Sequence, residues 1–124
     1  MNQPVSKPDV SDLAALVRTF AEERDWQQFH LPRNLLLALV GEVGELAAEF
    51  QWIVDDNVVN VLEDPEKREA VGSELADVFI YLLRLADVTG IDLATELTKK
   101  IAINEIRYPV EKSRGSSAKY TAYE

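Results

Sequence analysis

Leu13, Leu16, Val17 and Phe20 recur at spacings of three and four, the period that lays apolar side chains along one stripe of a helix. The stripe predicts a first helix that runs to about Arg24, with Ser11 or Asp12 as its N-cap. The ten residues before it, with Pro4, Ser6 and Pro8, read as a flexible arm. Asp25-Trp26-Gln27-Gln28-Phe29-His30-Leu31 breaks the period and reads as a connecting loop. Pro32 then suits the first turn of a second helix, where a missing N–H costs nothing. From Pro32 to about Val54 the chain is apolar on nearly every side, through Leu35, Leu36, Leu37, Leu39, Val40, Val43, Leu46, Phe50, Trp52 and Ile53. That pattern predicts a helix in the middle of a bundle.

Asp55-Asp56-Asn57 stops the second helix, and the stretch to Leu62 is a connector with room for a short helical turn. Asp64-Pro65 is an N-cap followed by Pro at the first helical position. It opens a third long helix through Leu75, Val78, Phe79, Leu82, Leu83 and Leu85, closed by Gly90. Asp92 caps a fourth, carrying Leu93, Leu97, Ile101 and Ile106 and ending before Pro109. The tail, with Ser113, Gly115, Ser116 and Ser117, is expected to lack regular structure. No segment alternates with the period of two that a sheet requires, so the class is all-α. Four helices joined by short loops predict a four-helix bundle, with a helical domain over 11–109 between an arm at 1–10 and a basic tail at 110–124. The central helices carry more apolar surface than a lone bundle of this size can cover, which predicts a homo-oligomer.

A length of 124 residues and a hydrophobic share of 47% suit one domain with an ample core. The 22 acidic against 13 basic residues give a formal charge of -9. Such a surface repels nucleic-acid backbones and anionic membranes, so neither a nucleic-acid polymer nor a membrane is an expected partner. The few Lys and Arg gather late in the chain, where a phosphate anion could meet them. Without Cys there are no disulfides and no thiolate metal sites. Met1-Asn2-Gln3-Pro4 lacks the basic segment and apolar run of a signal peptide, and no apolar stretch reaches membrane-spanning length. A soluble, cytoplasmic protein is expected.

Residues three apart on a helix project from one face, so Glu42 points with Glu45, and Glu74 with Asp77. Two such helices side by side bring four oxygen ligands to one point, the donor set that a hard cation such as Mg²⁺ takes alongside waters and phosphates. The spacing alone does not separate these acids from a solvated helix face, since Glu63 with Glu66 and Glu66 with Glu69 share it. Their surroundings do. The first pair lies within Leu39-Val40-Gly41-Glu42-Val43-Gly44-Glu45-Leu46, the second within Leu75-Ala76-Asp77-Val78-Phe79 and the residue before it, and no basic residue lies in either segment. Charges on bundle-facing helices cost several kcal/mol unless they are paired or bind metal. Gly41 and Gly44, each about 1 kcal/mol worse than Ala inside a helix, are read as buying close approach of the second helix.

Glu42-x-x-Glu45, then 28 residues, then Glu74-x-x-Asp77, resembles the signature of the all-α nucleoside triphosphate pyrophosphohydrolases of the MazG type. The run Phe20 to His30, the run Pro32 to Leu46, Phe50-Gln51-Trp52, Arg107-Tyr108-Pro109-Val110, Ser113-Arg114-Gly115 and Lys119-Tyr120-Thr121 are similar to the dCTP-hydrolysing branch of that family. The resemblance implies a catalytic helical domain that cleaves a nucleoside triphosphate between its α and β phosphates, in a homotetramer with Mg²⁺. It implies Glu42, Glu45, Glu74 and Asp77 as metal ligands, with Glu45, or Glu42 beside it, acting on the attacking water. Lys100, Asn104 and Arg107 share a face of the fourth helix and are the implied phosphate contacts, with Arg114 and Lys119 of the tail as further candidates. Trp26, Trp52 and Tyr81 are the expected aromatic wall for the base. His30 is expected to hydrogen-bond either the base or a neighbouring residue, and Tyr108 joins the substrate-binding set through the matching run around it. The connector from Asp55 to Leu62 and the region around Val17 match less closely, which leaves open dCTP, its base-modified forms and other pyrimidine triphosphates.

Two other classes compete. A di-iron bundle needs Glu-x-x-His pairs, and the single His30 follows Gln27 at that spacing rather than a Glu. A non-catalytic acidic bundle that binds a protein partner through its apolar surface is the remaining alternative.

Overall fold

The computed structural model describes residues 7–54 and 58–124. Pro4 and Ser6 of the expected arm, and the expected stop at Asp55, Asp56 and Asn57, lie outside the described residues. Among the described residues every regular element is helical, as the spacing of apolar positions predicts. The chain divides into two compact units, Met1–Gly90 and Ile91–Glu124.

In the first unit, α1 spans Val10–Glu23, α2 Pro32–Ala48, α3 Val58–Val61 and α4 Pro65–Thr89. Helix α1 begins earlier than its apolar stripe suggests, because Asp9 and not Ser11 or Asp12 is the N-cap. Asp9 Oδ1 accepts from the Asp12 N–H at 2.8 Å, while Asp12 Oδ2 accepts from the Asp9 N–H at 3.1 Å. This reciprocal capping box satisfies two donors that the first turn would otherwise leave open. A 3-10 turn over Gln27–Phe29 then carries the chain to Pro32 at the start of α2. The second helix stops at Ala48, short of the expected Val54. Its end tightens into three-residue turns: Glu49 N–H donates to Leu46 O at 3.1 Å, Phe50 to Ala47 at 3.0 Å and Ile53 to Phe50 at 3.0 Å. A helix that is apolar all round gives its sequence no stripe whose loss would mark that end.

Helix α4 follows the sequence closely. The Asp64 side chain accepts from the Glu66 N–H at 3.2 Å, Pro65 occupies the first helical position, and Gly90 closes the helix at φ 71°. That left-handed conformation suits a residue without Cβ. Both α1 and α2 pack on α4, and among the described residues the buried ones are Ala21 from α1, Leu35 from α2 and Val71, Leu83, Arg84 and Ala86 from α4. An open apolar groove of about 310 Å³ between α1 and α4 is lined by side chains such as Leu16, Phe20, Phe79 and Leu83. Helix α2 is not enclosed in the single chain, since Leu36, Leu37, Val40 and Val43 are all exposed.

In the second unit, α5 spans Leu93–Arg107 and α6 Val110–Ser113, followed by a 3-10 turn over Tyr120–Tyr123. Asp92 caps α5 by accepting from the Ala94 and Thr95 N–H groups at 3.1 and 3.4 Å. The tail departs from the sequence expectation. Beyond Pro109 it forms two short helical segments, held by Tyr108, whose ring stands edge-on to Tyr120 and Tyr123 at 6.1 and 6.2 Å between centroids. Polar composition hid this, because three tyrosines from separate stretches supply the contact. Among the described residues no helix is long and apolar enough to cross a membrane.

Candidate active site

The i, i+3 pairs come from α2 and α4, the two helices of the first unit that pack most extensively. Their packing brings Glu42, Glu45 and Glu74 together, with one carboxylate oxygen from each lying within 4.8 Å of the others. Asp77 is one turn beyond Glu74 on α4 and its charge reaches Glu42 and Glu74, but it is not within that oxygen cluster. Glu42 and Glu74 are half-buried, and Oε2 of each is buried with no hydrogen-bond partner. Glu45 is exposed. Among the described residues none of the ion pairs involves any of the four acids. Lys67 on α4 is engaged with Glu49 at 2.7 Å.

Carboxylates crowded in this way resist ionisation. Burial and then the charge of Glu45 push the Glu42 carboxyl above its ordinary pKa, and burial followed by the same charge raises Glu74. Three clustered carboxylates, two of them with an orphaned buried oxygen and none in an ion pair among the described residues, form an all-oxygen donor set that fits a hard divalent cation. The glycine reading needs correction. A Cβ built at Gly41 or Gly44 meets nothing within 4 Å, so neither glycine brings another helix of the chain close. Among the described residues nothing explains them.

Of the expected base-binding residues, Trp26 and His30 are brought together by the 3-10 turn between them, with ring centroids 6.5 Å apart at 63°. Phe20 also stands edge-on to Trp26, with centroids 5.7 Å apart at 69°. Trp52 is 87% exposed in the turn after α2, and Tyr81 is half-buried on α4. Neither makes a ring contact with Trp26 among the described residues. In the second unit Lys100, Asn104 and Arg107 follow one face of α5. The Arg107 guanidinium lies over the Tyr120 ring at 4.6 Å from its centroid. Arg114 and Lys119 are exposed.

Sequence reasoning missed Arg18, Arg84 and Asp87. Arg84 is 5% exposed, donates from Nε to His30 Nδ1 at 2.9 Å and pairs with Asp87 at 2.9 Å. Asp87 also accepts from Nε and Nη2 of Arg18 at 2.9 and 2.6 Å, tying α1 to α4. The available signal was an arginine between Leu83 and Leu85 in an apolar run, with an acid three residues on.

Three comparisons bear on this arrangement. The MazG-like family matches over residues 38–122, which includes all four acids. The dCTP pyrophosphatase 1 of Bos taurus is 51% identical over 116 residues, covering 94% of this chain and 69% of the relative. That of Homo sapiens is 50% identical over 115 residues, covering 93% and 68%. The crystal structure of a pyrophosphatase from Archaeoglobus fulgidus DSM 4304 superposes with a TM-score of 0.76 at 35% identity, covering 87% of this chain and 99% of that one. Helical fold, acidic cluster and relatives together define an enzyme of the pyrophosphatase class. The chain belongs to the MazG-like family.

Proposed function

We propose that the chain is a Mg²⁺-dependent nucleoside triphosphate pyrophosphohydrolase that converts dCTP, or a related or base-modified pyrimidine deoxynucleotide, to the monophosphate and pyrophosphate. The observation that carries this is the cluster of Glu42, Glu45 and Glu74 within 4.8 Å, with two carboxylate oxygens buried and unpartnered. Kinship with the dCTP pyrophosphatases supports a nucleotide diphosphatase, and the family match supports the assignment of the acids. Glu42, Glu45, Glu74 and Asp77 hold the cation. When bound, Mg²⁺ neutralises charge on the triphosphate oxygens, the main electrostatic demand of phosphoryl transfer.

Glu45, the exposed member, orients a water and takes its proton as the water attacks the α phosphorus, with Glu42 as its partner in the pair. The bond from that phosphorus to the α–β bridging oxygen breaks, and pyrophosphate leaves with the electron pair. Lys100, Asn104 and Arg107 supply donors for phosphate oxygens, joined by Arg114 and Lys119. Trp26, Trp52 and Tyr81 offer π-faces to the base, with His30 and Tyr108 adding polar contacts. The working form is a homotetramer of four-helix bundles in the cytoplasm. Exposed apolar side chains on α2 support assembly, because a lone chain leaves them in water.

A panel of nucleoside triphosphates assayed with and without Mg²⁺ for pyrophosphate and monophosphate tests the reading. Pyrophosphate with dCMP from dCTP is expected; orthophosphate release, or no turnover of any triphosphate, overturns it.

A further inference from the structure

Arg84 is the one buried charged residue among the described residues. A guanidinium in that position needs its donors answered, and two residues answer it: Asp87 and, through a neutral acceptor, His30. Asp87 is shared with Arg18, on which the charge of Glu22 also acts, so one carboxylate serves two guanidinium groups and Arg84 is the charge next to the imidazole. Arginine has no acceptor and does not lose its proton in proteins. The 2.9 Å contact from Arg84 Nε therefore requires a lone pair on His30 Nδ1. A proton on Nδ1 would set two N–H groups against each other. The ring is thus held neutral, with its proton on Nε2. Burial first, and the Arg84 charge second, push the His30 pKa below that of an ordinary imidazole. The charge acting on the ring is that of Arg84; behind it stand Asp87, then Arg18, with the charge of Glu22 acting on Arg18.

The loop that carries His30 is fixed from both sides. The His30 N–H donates to Gln27 O at 3.2 Å, and Asn34 Nδ2 donates to Phe29 O at 3.2 Å. The ring stands edge-on to Trp26, and among the described residues nothing accepts a hydrogen bond from Nε2. We propose that Arg84 is a positioning residue: by holding His30 as the neutral Nε2–H form beside Trp26, it presents a fixed hydrogen-bond donor to the heterocycle of the substrate. Such a donor suits a ring carbonyl or an unprotonated ring nitrogen and disfavours an exocyclic amine. The proposal rests on the reading of Trp26 and His30 as base-binding residues.

His30 is the only histidine in the chain, so its ring resonances in the intact protein need no assignment by mutation. Long-range ¹H–¹⁵N spectra at neutral pH are expected to show a bare Nδ1 and a protonated Nε2; an Nδ1–H form, a tautomer mixture or an imidazolium overturns the proposal. Adding a dCTP analogue with a methylene between the α and β phosphorus atoms should shift the Nε2–H signal. Binding that leaves the signal unmoved overturns the proposal through the base-pocket reading, while the free-protein tautomer still reports on Arg84 by itself. Arg84→Met should mix the tautomers and raise KM about tenfold with kcat held within about twofold. Arg84→Lys, which keeps a charged donor toward Nδ1, should recover part of both losses. A mixed tautomer with unchanged KM overturns the positioning role. The wild-type spectra test the tautomer even where Arg84→Met fails to fold.

Discussion

Glu42 and Glu74 bury one carboxylate oxygen each without a partner, a state that costs free energy unless a cation arrives. Glu74→Gln should lower Mg²⁺-dependent kcat/KM by at least about a hundredfold while leaving the helical circular dichroism unchanged, because it removes a ligand and little volume. The sign of the pH dependence follows from the raised pKa values of both groups. Their contribution to metal-free stability is full below the ordinary glutamate pKa and is lost as pH rises through the folded-state pKa. In thermal melts at neutral pH without metal, Glu74→Gln should therefore raise Tm, and the gain should shrink as the pH falls. Asp87 behaves in the opposite way. Hydrogen bonding from Arg18 holds its carboxyl below the usual range, so its contribution is present above the unfolded pKa and is lost as pH falls through the folded one. Asp87→Asn should lower Tm at neutral pH, with the difference from wild type closing in acid.

At the scale of elements, the helices owe their positions to caps that the sequence announces and to packing that it does not. Asp64-Pro65, Gly90 and Asp92 were legible because each satisfies an end group or a backbone angle through a local contact. The start of α1 was misplaced by two or three residues because Asp9 and Asp12 cap reciprocally. The end of α2 was overrun because its composition is apolar on every side. Asp9→Ala should destabilise the first unit by about 1 kcal/mol in denaturant melts, the usual worth of an N-cap. Gly44→Ala provides a sharper check, because a Cβ there meets nothing within 4 Å of the single chain. Replacing glycine inside a helix should then stabilise by about 1 kcal/mol, and a loss of stability would show that a second copy fills the space.

For the whole molecule, the exposed apolar side chains are the dominant fact. Leu36, Leu37 and Val40 on α2, and Ile106 on α5 at 83% exposure, are in water in the single chain. The proposed homotetramer accounts for them through the hydrophobic effect, which scales with the area withdrawn from solvent. Sedimentation should give four chains per particle, and Leu37→Lys should shift the distribution to smaller species, since burying an unpaired ammonium at an interface is costly.

The sequence by itself determined the helical class, most helix boundaries and the two acidic pairs, because helix period, caps and i, i+3 spacing are local relations between neighbours in the chain. Its resemblance to known pyrophosphohydrolases supplied the reaction on the same residues. Only the tertiary structure decided that Glu42, Glu45 and Glu74 converge while Asp77 stands one turn aside. It also decided that His30 is answered by Arg84, 54 positions away, with Asp87 and Arg18 completing the cluster. Such partners meet through the packing of α1 and the His30 loop against α4, and no local period records which charges that packing will bring together.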